Sequence, residues 1–263
     1  MAALSIGKAW EESLAFIKRE GSLLFPVALL FLSVPMAVLQ LMIPPDYMQM
    51  APGQTLASLP PLPGTVKVAM IVAGIVMLIG SLAVYALALR PGISVAEAIR
   101  LAIGRLPVVL GASLLVGVAL MFVLFGAAMI GGLLSVVTGK GGGVVLAAVA
   151  MLAAMLYISA RMLPLSALVI DRRPGVVAAL RETLSLTRGQ AGRLATFILV
   201  SLILILVVQI AVQSVFGIVG TLLLGQEGGR SISNIAVALA AGAVNVYLMV
   251  FTARIYRQLE AAA

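Results

Sequence analysis

One stretch of the chain, DRRPGVVAALRETLSLTRG (171–189), gathers the side chains best suited to charge chemistry: Asp171, Arg172, Arg173, Arg181, Glu182 and Arg188. Four guanidiniums this close together can grip a phosphate, because each presents a planar fork of N–H donors. The same arginines can instead pair with Asp171 and Glu182 and hold the chain together. Arg161 adds a cation ten residues upstream, inside an apolar run. An ionisable residue within a membrane span marks a functional site by default. Its alternative role is structural: the guanidinium snorkels to the inner headgroups or pairs with Asp171 or Glu182. Arg161 lies about 17 residues into its span, about 25 Å along it at 1.5 Å per residue, close to the inner boundary. SAR at 159–161 is echoed by TAR at 252–254, which favours the structural role.

Uncharged polar groups are sparse elsewhere in the apolar runs. Gln209 and Gln213 are four apart and share a helix face, and Asn245 falls near the middle of the last run. Such residues either join helices by hydrogen bonds, worth about 0.6 kcal/mol each, or line a polar path. No Asp, Glu, Lys or Arg falls near the middle of any apolar run, which argues against a proton- or ion-coupled carrier. Cysteine and histidine are both absent. Disulfides, thiolate chemistry, haem ligation and His-based metal sites are therefore excluded, and no cofactor is expected. GKGGG (139–143) is no phosphate loop, since Lys140 is followed by Gly where Ser or Thr is required. No nucleophile–base pair is apparent, so the chain is not expected to be an enzyme.

The elements that must position these groups are membrane helices. The 263 residues are 63% hydrophobic and 10% charged, against roughly 25% charged in soluble domains. Arg outnumbers Lys 13 to 4 amid abundant Ala and Gly, which suits a GC-rich bacterial genome. A net charge of +8 raises nucleic acid as a partner, but no basic patch is interleaved with stacking aromatics. Basic loops on the cytoplasmic side account for the charge instead.

A crossing needs about 20 apolar residues. Six runs qualify: 22–43, 66–89, 107–137, 144–163 (apolar on to Ile170), 194–224 and 235–255. The third and fifth are long and must tilt, break or project from the bilayer. With six crossings, 14 basic residues fall on one side and Lys67, Lys140 and Arg230 on the other. That bias places both termini in the cytoplasm of an inner membrane.

The charged stretch also has relatives within the chain. Ala9, Glu12, Ser13, Leu14 and Lys18 align with Ala179, Glu182, Thr183, Leu184 and Arg188. RPG recurs at 90–92 and 173–175, and VAEAIR (95–100) recurs as VVAALR (176–181) after a two-residue slip. The sequence thus predicts a single membrane domain of three tandem units, about 1–88, 89–170 and 171–263. Each unit is an amphipathic interfacial helix followed by a transmembrane hairpin. The apolar stripes are Ile6, Trp10, Leu14 and Ile17; Val95, Ile99, Ala102 and Leu106; and Val177, Leu180, Leu184 and Thr187. Ser94 and Glu97 form a capping-box pattern, Pro174 suits a first helical turn, and Gly21 and Gly189 suit left-handed caps. Such helices lie in the headgroup layer with their arginines near lipid phosphates. Ala127-xxx-Gly131 and Ala238-xxx-Gly242 are small-residue faces for close helix packing. The loop 44–65, rich in Pro and Met, is the longest external segment: a partner contact or a linker.

An acid, a basic pair and Gly, then Ala-x-x-x-Thr-x-x-Leu-x-x-Gly, are carried by Asp171, Arg172, Arg173, Gly175, Ala179, Thr183, Leu186 and Gly189, behind Arg161 and Pro164. This pattern resembles the membrane domain attached to some bacterial glycerophosphoryl diester phosphodiesterases, and its stand-alone inner-membrane relatives. The family's usual Ser stands as Thr183 here. The hydrolase of that family is a separate soluble barrel with catalytic histidines, so the resemblance implies a membrane module without hydrolase activity.

The expected protein is all-α, with six transmembrane and three interfacial helices. Its expected role is that of a non-enzymatic bacterial inner-membrane scaffold, modulator or subunit of a larger membrane assembly. Its expected partners are anionic lipid headgroups at the cytoplasmic face and other membrane subunits, with no nucleic acid. One alternative is a lipid-handling or transport protein whose hairpins admit a phospholipid to Arg161, Arg172, Arg173, Arg181 or Arg188. Another, resting on the resemblance, is a regulatory membrane domain for a partner phosphodiesterase.

Overall fold

The computed structural model describes residues 5–44, 47, 59–138 and 140–262. Among these the chain is all-helical, with no strand. The elements are α1 (Ile6–Ala28), a π-helical turn (Leu29–Ser33), α2 (Val34–Met42), α3 (Gly64–Leu89), α4 (Val95–Thr138), α5 (Lys140–Met162), α6 (Leu165–Arg172), α7 (Val176–Leu186) and α8 (Ala191–Ala262). Five helical runs are long and apolar enough to cross a membrane: Ile6–Met42, Gly64–Leu89, Val95–Leu133, Val145–Arg172 and Ala191–Ala262. The last contains a break. Gly225 has φ 73° and ψ −177°, far from helical values, and two helices meet there at a kink. Most of the loop at 44–65, like Gly139, lies outside the described residues, and the rest of GKGGG, Lys140–Gly143, opens α5 as helix rather than forming a turn.

The chain divides into two compact units. One comprises Met1–Trp10, Gly104–Ser201 and Thr252–Ala263, and the other Glu11–Ile103 and Leu202–Phe251.

In the second unit the π-turn is the point of closest packing. Pro35 has no N–H to continue the α-helical ladder, and the Val34 N–H reaches back five residues to the Leu29 carbonyl. The widened turn presses Phe31 against Gly80 of α3, where an added Cβ would overlap the Phe31 Cβ. Ser33, 1% exposed, lies against Gly242 of α8, where an added Cβ would overlap the Ser33 hydroxyl. Leu24, Leu82, Val246 and Phe251 fill the surrounding core. The two halves of α8 also run side by side here. The Ser233 hydroxyl donates to the Gln213 carbonyl at 3.3 Å, and a Cβ on Gly220 would come within 2.8 Å of the Gly229 Cα.

In the first unit α4 and α5 pack through small residues. A Cβ on Gly131 would overlap Ala147, and one on Gly143 would overlap the α4 backbone at Ser135. Of the small-residue faces expected at Ala127/Gly131 and Ala238/Gly242, the glycines Gly131 and Gly242 both sit at close approaches. The core beneath is Leu168, Val169, Ile170, Leu194, Ile255 and Tyr256.

Local expectations are met unevenly. The Ser94/Glu97 capping box forms reciprocally: the Glu97 N–H donates to Ser94 Oγ at 3.2 Å, and the Ser94 N–H donates to Glu97 Oε2 at 2.8 Å. Gly189 takes the left-handed conformation, φ 78°, after α7. Gly21 does not. Copy one carries Arg19 and Glu20 before its glycine, so Gly21 falls two positions late, inside α1, where the Phe25 ring covers it. A glycine inside a helix costs only about 1 kcal/mol, less than abandoning the turn around it. Copies one and two therefore run unbroken into their apolar stretches, α1 through Gly21 and α4 through Pro107. Only copy three, α7, is a separate short helix. Pro174 precedes its N-cap residue, Gly175, and so stands outside the first turn. The stripe expected on α7 faces away from the protein in part, with Val177 64% and Leu184 40% exposed, while Ala179, Thr183, Leu186 and Thr187 are buried.

Candidate functional site

The charged stretch folds onto the end of α8 within the first unit. Apolar Leu165–Ile170 buries α6, leaving Asp171 and Arg172 at its polar end. Arg173 then takes a left-handed conformation, φ 56° and ψ 43°, which stops the helix and turns the chain towards α7. Non-glycine residues seldom adopt this conformation.

Arg172 sits at the centre of the cluster. Its Nη1 pairs with Glu182 Oε1 of α7, and its Nη2 lies 2.9 Å from Glu260 Oε1 of α8, with Nε at 3.3 Å from the same oxygen. Asp171 accepts a hydrogen bond from the Tyr256 hydroxyl at 3.0 Å and stands 3.6 Å from Arg257 Nη2. Arg257 closes the ring at 3.4 Å from Glu260 Oε2. Three carboxylates and two guanidiniums thus interlock α6, α7 and the last turns of α8. Tyr256 is fully buried, whereas Arg172 and Arg257 keep 38% and 44% of their side chains in solvent. The cluster is a partly wetted clamp. With one net negative charge and both arginines engaged, it is poorly suited to gripping a phosphate.

Of the expected residues, the fold therefore brings together Asp171, Arg172 and Glu182. Tyr256, Arg257 and Glu260 were missed. The sequence signal for two of them was present: Arg257 and Glu260 are three apart on a helix, close behind the TAR at 252–254 that echoes the SAR of α5.

The remaining arginines differ. Arg173, Arg181 and Arg188 are exposed, and no carboxylate among the described residues lies within ion-pair distance of them. Arg161 is half-buried at the end of α5, and its Nε is buried without a hydrogen-bond partner among the described residues. Its carbonyl accepts from the Thr187 hydroxyl at 3.3 Å, and that hydroxyl also bonds the Thr183 carbonyl at 2.9 Å. Thr183 donates to the Ala179 carbonyl at 2.7 Å. The motif's hydroxyls are buried and serve helix packing.

The amide side chains lie in the second unit. Gln209 and Asn245 border one cavity of about 210 Å³, together with Met36 and Ala241. Asn245 also borders a cavity of about 470 Å³ that reaches Ser81. Its amide donates to the Ala241 carbonyl of its own helix at 2.8 Å. Gln213 contributes its carbonyl to Ser233, and its side chain is exposed. Among the described residues no group of three His, Cys, Asp or Glu side chains is placed to hold a metal ion. No family model, curated protein or solved structure matches the chain.

Proposed function

We propose that this chain is a non-catalytic bacterial inner-membrane module with six crossings and both termini in the cytoplasm, acting as a scaffold, modulator or subunit of a larger membrane assembly. The observation that carries this is the use made of the charged motif. Arg172, Asp171 and Glu182 spend their charge on one another and on Glu260, Tyr256 and Arg257, tying three helices together. A group committed to such a clamp is a structural part.

The break at Gly225 supports counting α8 as two crossings, which raises the five long runs to six. Burial supports the threefold repeat. Ala9, Ala98 and Ala179 occupy equivalent positions and are each 0% exposed, and Ser13, Ala102 and Thr183, one turn on, are 1% exposed or less. The same small pair is buried in all three copies. Strongly exposed Leu114, Phe122, Phe125 and Leu222 suit contact with lipid tails.

A second role, lipid handling, draws support from Arg173, Arg181 and Arg188, whose exposed guanidiniums suit anionic headgroups at the cytoplasmic face. The motif's resemblance to phosphodiesterase membrane domains adds a third, regulation of a partner hydrolase.

Extraction with the surrounding bilayer, without detergent, followed by native mass spectrometry separates these roles. A stoichiometric protein partner is the expected result, and a phosphodiesterase partner would select the third role. A retained anionic phospholipid, lost in the Arg161→Gln/Arg181→Gln protein, would replace the scaffold with lipid handling. A bare monomer would overturn all three.

A further inference from the structure

A cavity of about 260 Å³ in the second unit lies between α1 and the turn that joins α3 to α4. Its wall carries opposite charges from different elements: Glu20 from α1 and Arg90 from the end of α3, with Ser94 beside them. Its floor is Phe16, Leu24 and Leu87, none more than 6% exposed. The cavity stands where the apolar run of α3 ends at Leu89, the level at which a bilayer changes from tails to headgroups. Gly92, with φ 85°, bends the turn around it, and the Ser94/Glu97 capping box fixes the turn's far end.

We propose that this cavity binds a zwitterionic phospholipid headgroup of the ethanolamine type. Arg90, which also holds a contact within the fold, meets the phosphate through its remaining N–H donors and Glu20 meets the primary ammonium, while Phe16, Leu24 and Leu87 receive the start of the acyl chains. An anionic glycerol headgroup would offer the Glu20 carboxylate only neutral hydroxyl donors, weaker than the charge-assisted N–H donors of a primary ammonium. A choline headgroup is best held by an open aromatic face, and Phe16, the one ring among the described lining residues, already has the Arg19 guanidinium 5.7 Å from its centre. Arg19 also touches Glu20 Oε1 at 2.9 Å, but it is 68% exposed. Such a surface pair is weak enough to yield to a better-placed ammonium. The apolar floor selects a lipid over a soluble phosphoethanolamine. This proposal goes beyond the scaffold role and shares with it only the membrane location.

The test titrates delipidated full-length protein in detergent with phosphatidylethanolamine, phosphatidylcholine, phosphatidylglycerol or free glycerophosphoethanolamine, reading bound molecules by native mass spectrometry. Phosphatidylethanolamine should bind about tenfold more tightly than the other two lipids, the size expected of one charge-assisted hydrogen bond. Glu20→Gln should erase that preference, Glu20→Asp should keep part of it, and Arg90→Gln should weaken all three lipids at this site. Unfolding temperature checks that each variant is folded, and the Glu20→Gln result stands on its own if Arg90→Gln is not. Equal binding of the three lipids, or an unchanged preference in folded Glu20→Gln, overturns the proposal. Glycerophosphoethanolamine binding as tightly as the lipid overturns it in favour of a soluble ligand. None of these outcomes bears on whether a protein partner exists.

Discussion

Arg172 makes two carboxylate contacts from one guanidinium, on two different helices, and a planar fork is what permits that. Lysine, a point charge on a flexible stem, could serve one carboxylate well but not both. The partners are 27–28% exposed, so water screens part of the attraction. Arg172→Gln and Glu260→Gln should each lower unfolding stability by about 1–2 kcal/mol, the cost of a partly screened charge-assisted bond. The double variant should fall short of the sum by about 1 kcal/mol, because the second change removes a group already orphaned by the first. Denaturant titration in micelles measures this, and strict additivity would mean the contact contributes nothing. Half of the clamp was legible in the sequence. Asp171, Arg172 and Glu182 lie within twelve residues, and their charges invited pairing. Glu260 and Tyr256 are more than seventy residues further on, and no local pattern reports which distant helix end will arrive.

At the scale of elements, glycines decide where helices end, and the conformation rather than the residue type does the deciding. Gly225, with φ 73° and ψ −177°, occupies a region essentially closed to side chains, though nothing lies within 4 Å of where its Cβ would be. Gly225→Ala should therefore cost about 1–3 kcal/mol through backbone strain alone. Gly104, inside α4 with equally open space, should respond in the opposite direction, Gly104→Ala gaining about 0.5–1 kcal/mol. Unfolding temperatures of the two variants compare them directly, and equal effects would mean that α8 does not turn at Gly225. The same contrast explains what periodicity failed to see. A surface helix and the span behind it are both helical, so the pattern of apolar residues carries no mark of a join. Gly189 turns the chain and Gly21 does not, yet both are glycines after an amphipathic stretch. The difference lies in the two extra residues of copy one and in Phe25, which seals the helix over Gly21. The π-turn at Leu29–Ser33 was hidden for another reason: Pro35 marks a weak point in the ladder, but which widened turn results depends on Gly80 and Gly242 leaving room for it.

At the scale of the whole molecule the decisive question is how often the chain crosses. Seventy-two straight helical residues would extend about 108 Å at 1.5 Å per residue, against a hydrocarbon core of about 30 Å. Apolar composition and basic-residue bias predict two crossings here, and in the six-crossing topology we propose, the Gly225 kink is the turn between them. The chain contains no cysteine, so single cysteines report topology without background. Replacing Lys8, Arg193 or Arg257 by Cys should place the thiol in the cytoplasm, and replacing Lys67 or Arg230 should place it outside. A membrane-impermeant maleimide added to intact cells should label the Lys67→Cys and Arg230→Cys proteins, while the other three react only in inverted vesicles. The pair that matters is 193 and 257. Six crossings return the chain to the side it left, so both thiols share a compartment and residue 230 is opposite. If 193 and 257 label from opposite sides, α8 crosses an odd number of times. The 14-to-3 division of basic residues then no longer describes the two faces, and Arg173, Arg181 and Arg188 lose their claim to cytoplasmic headgroups.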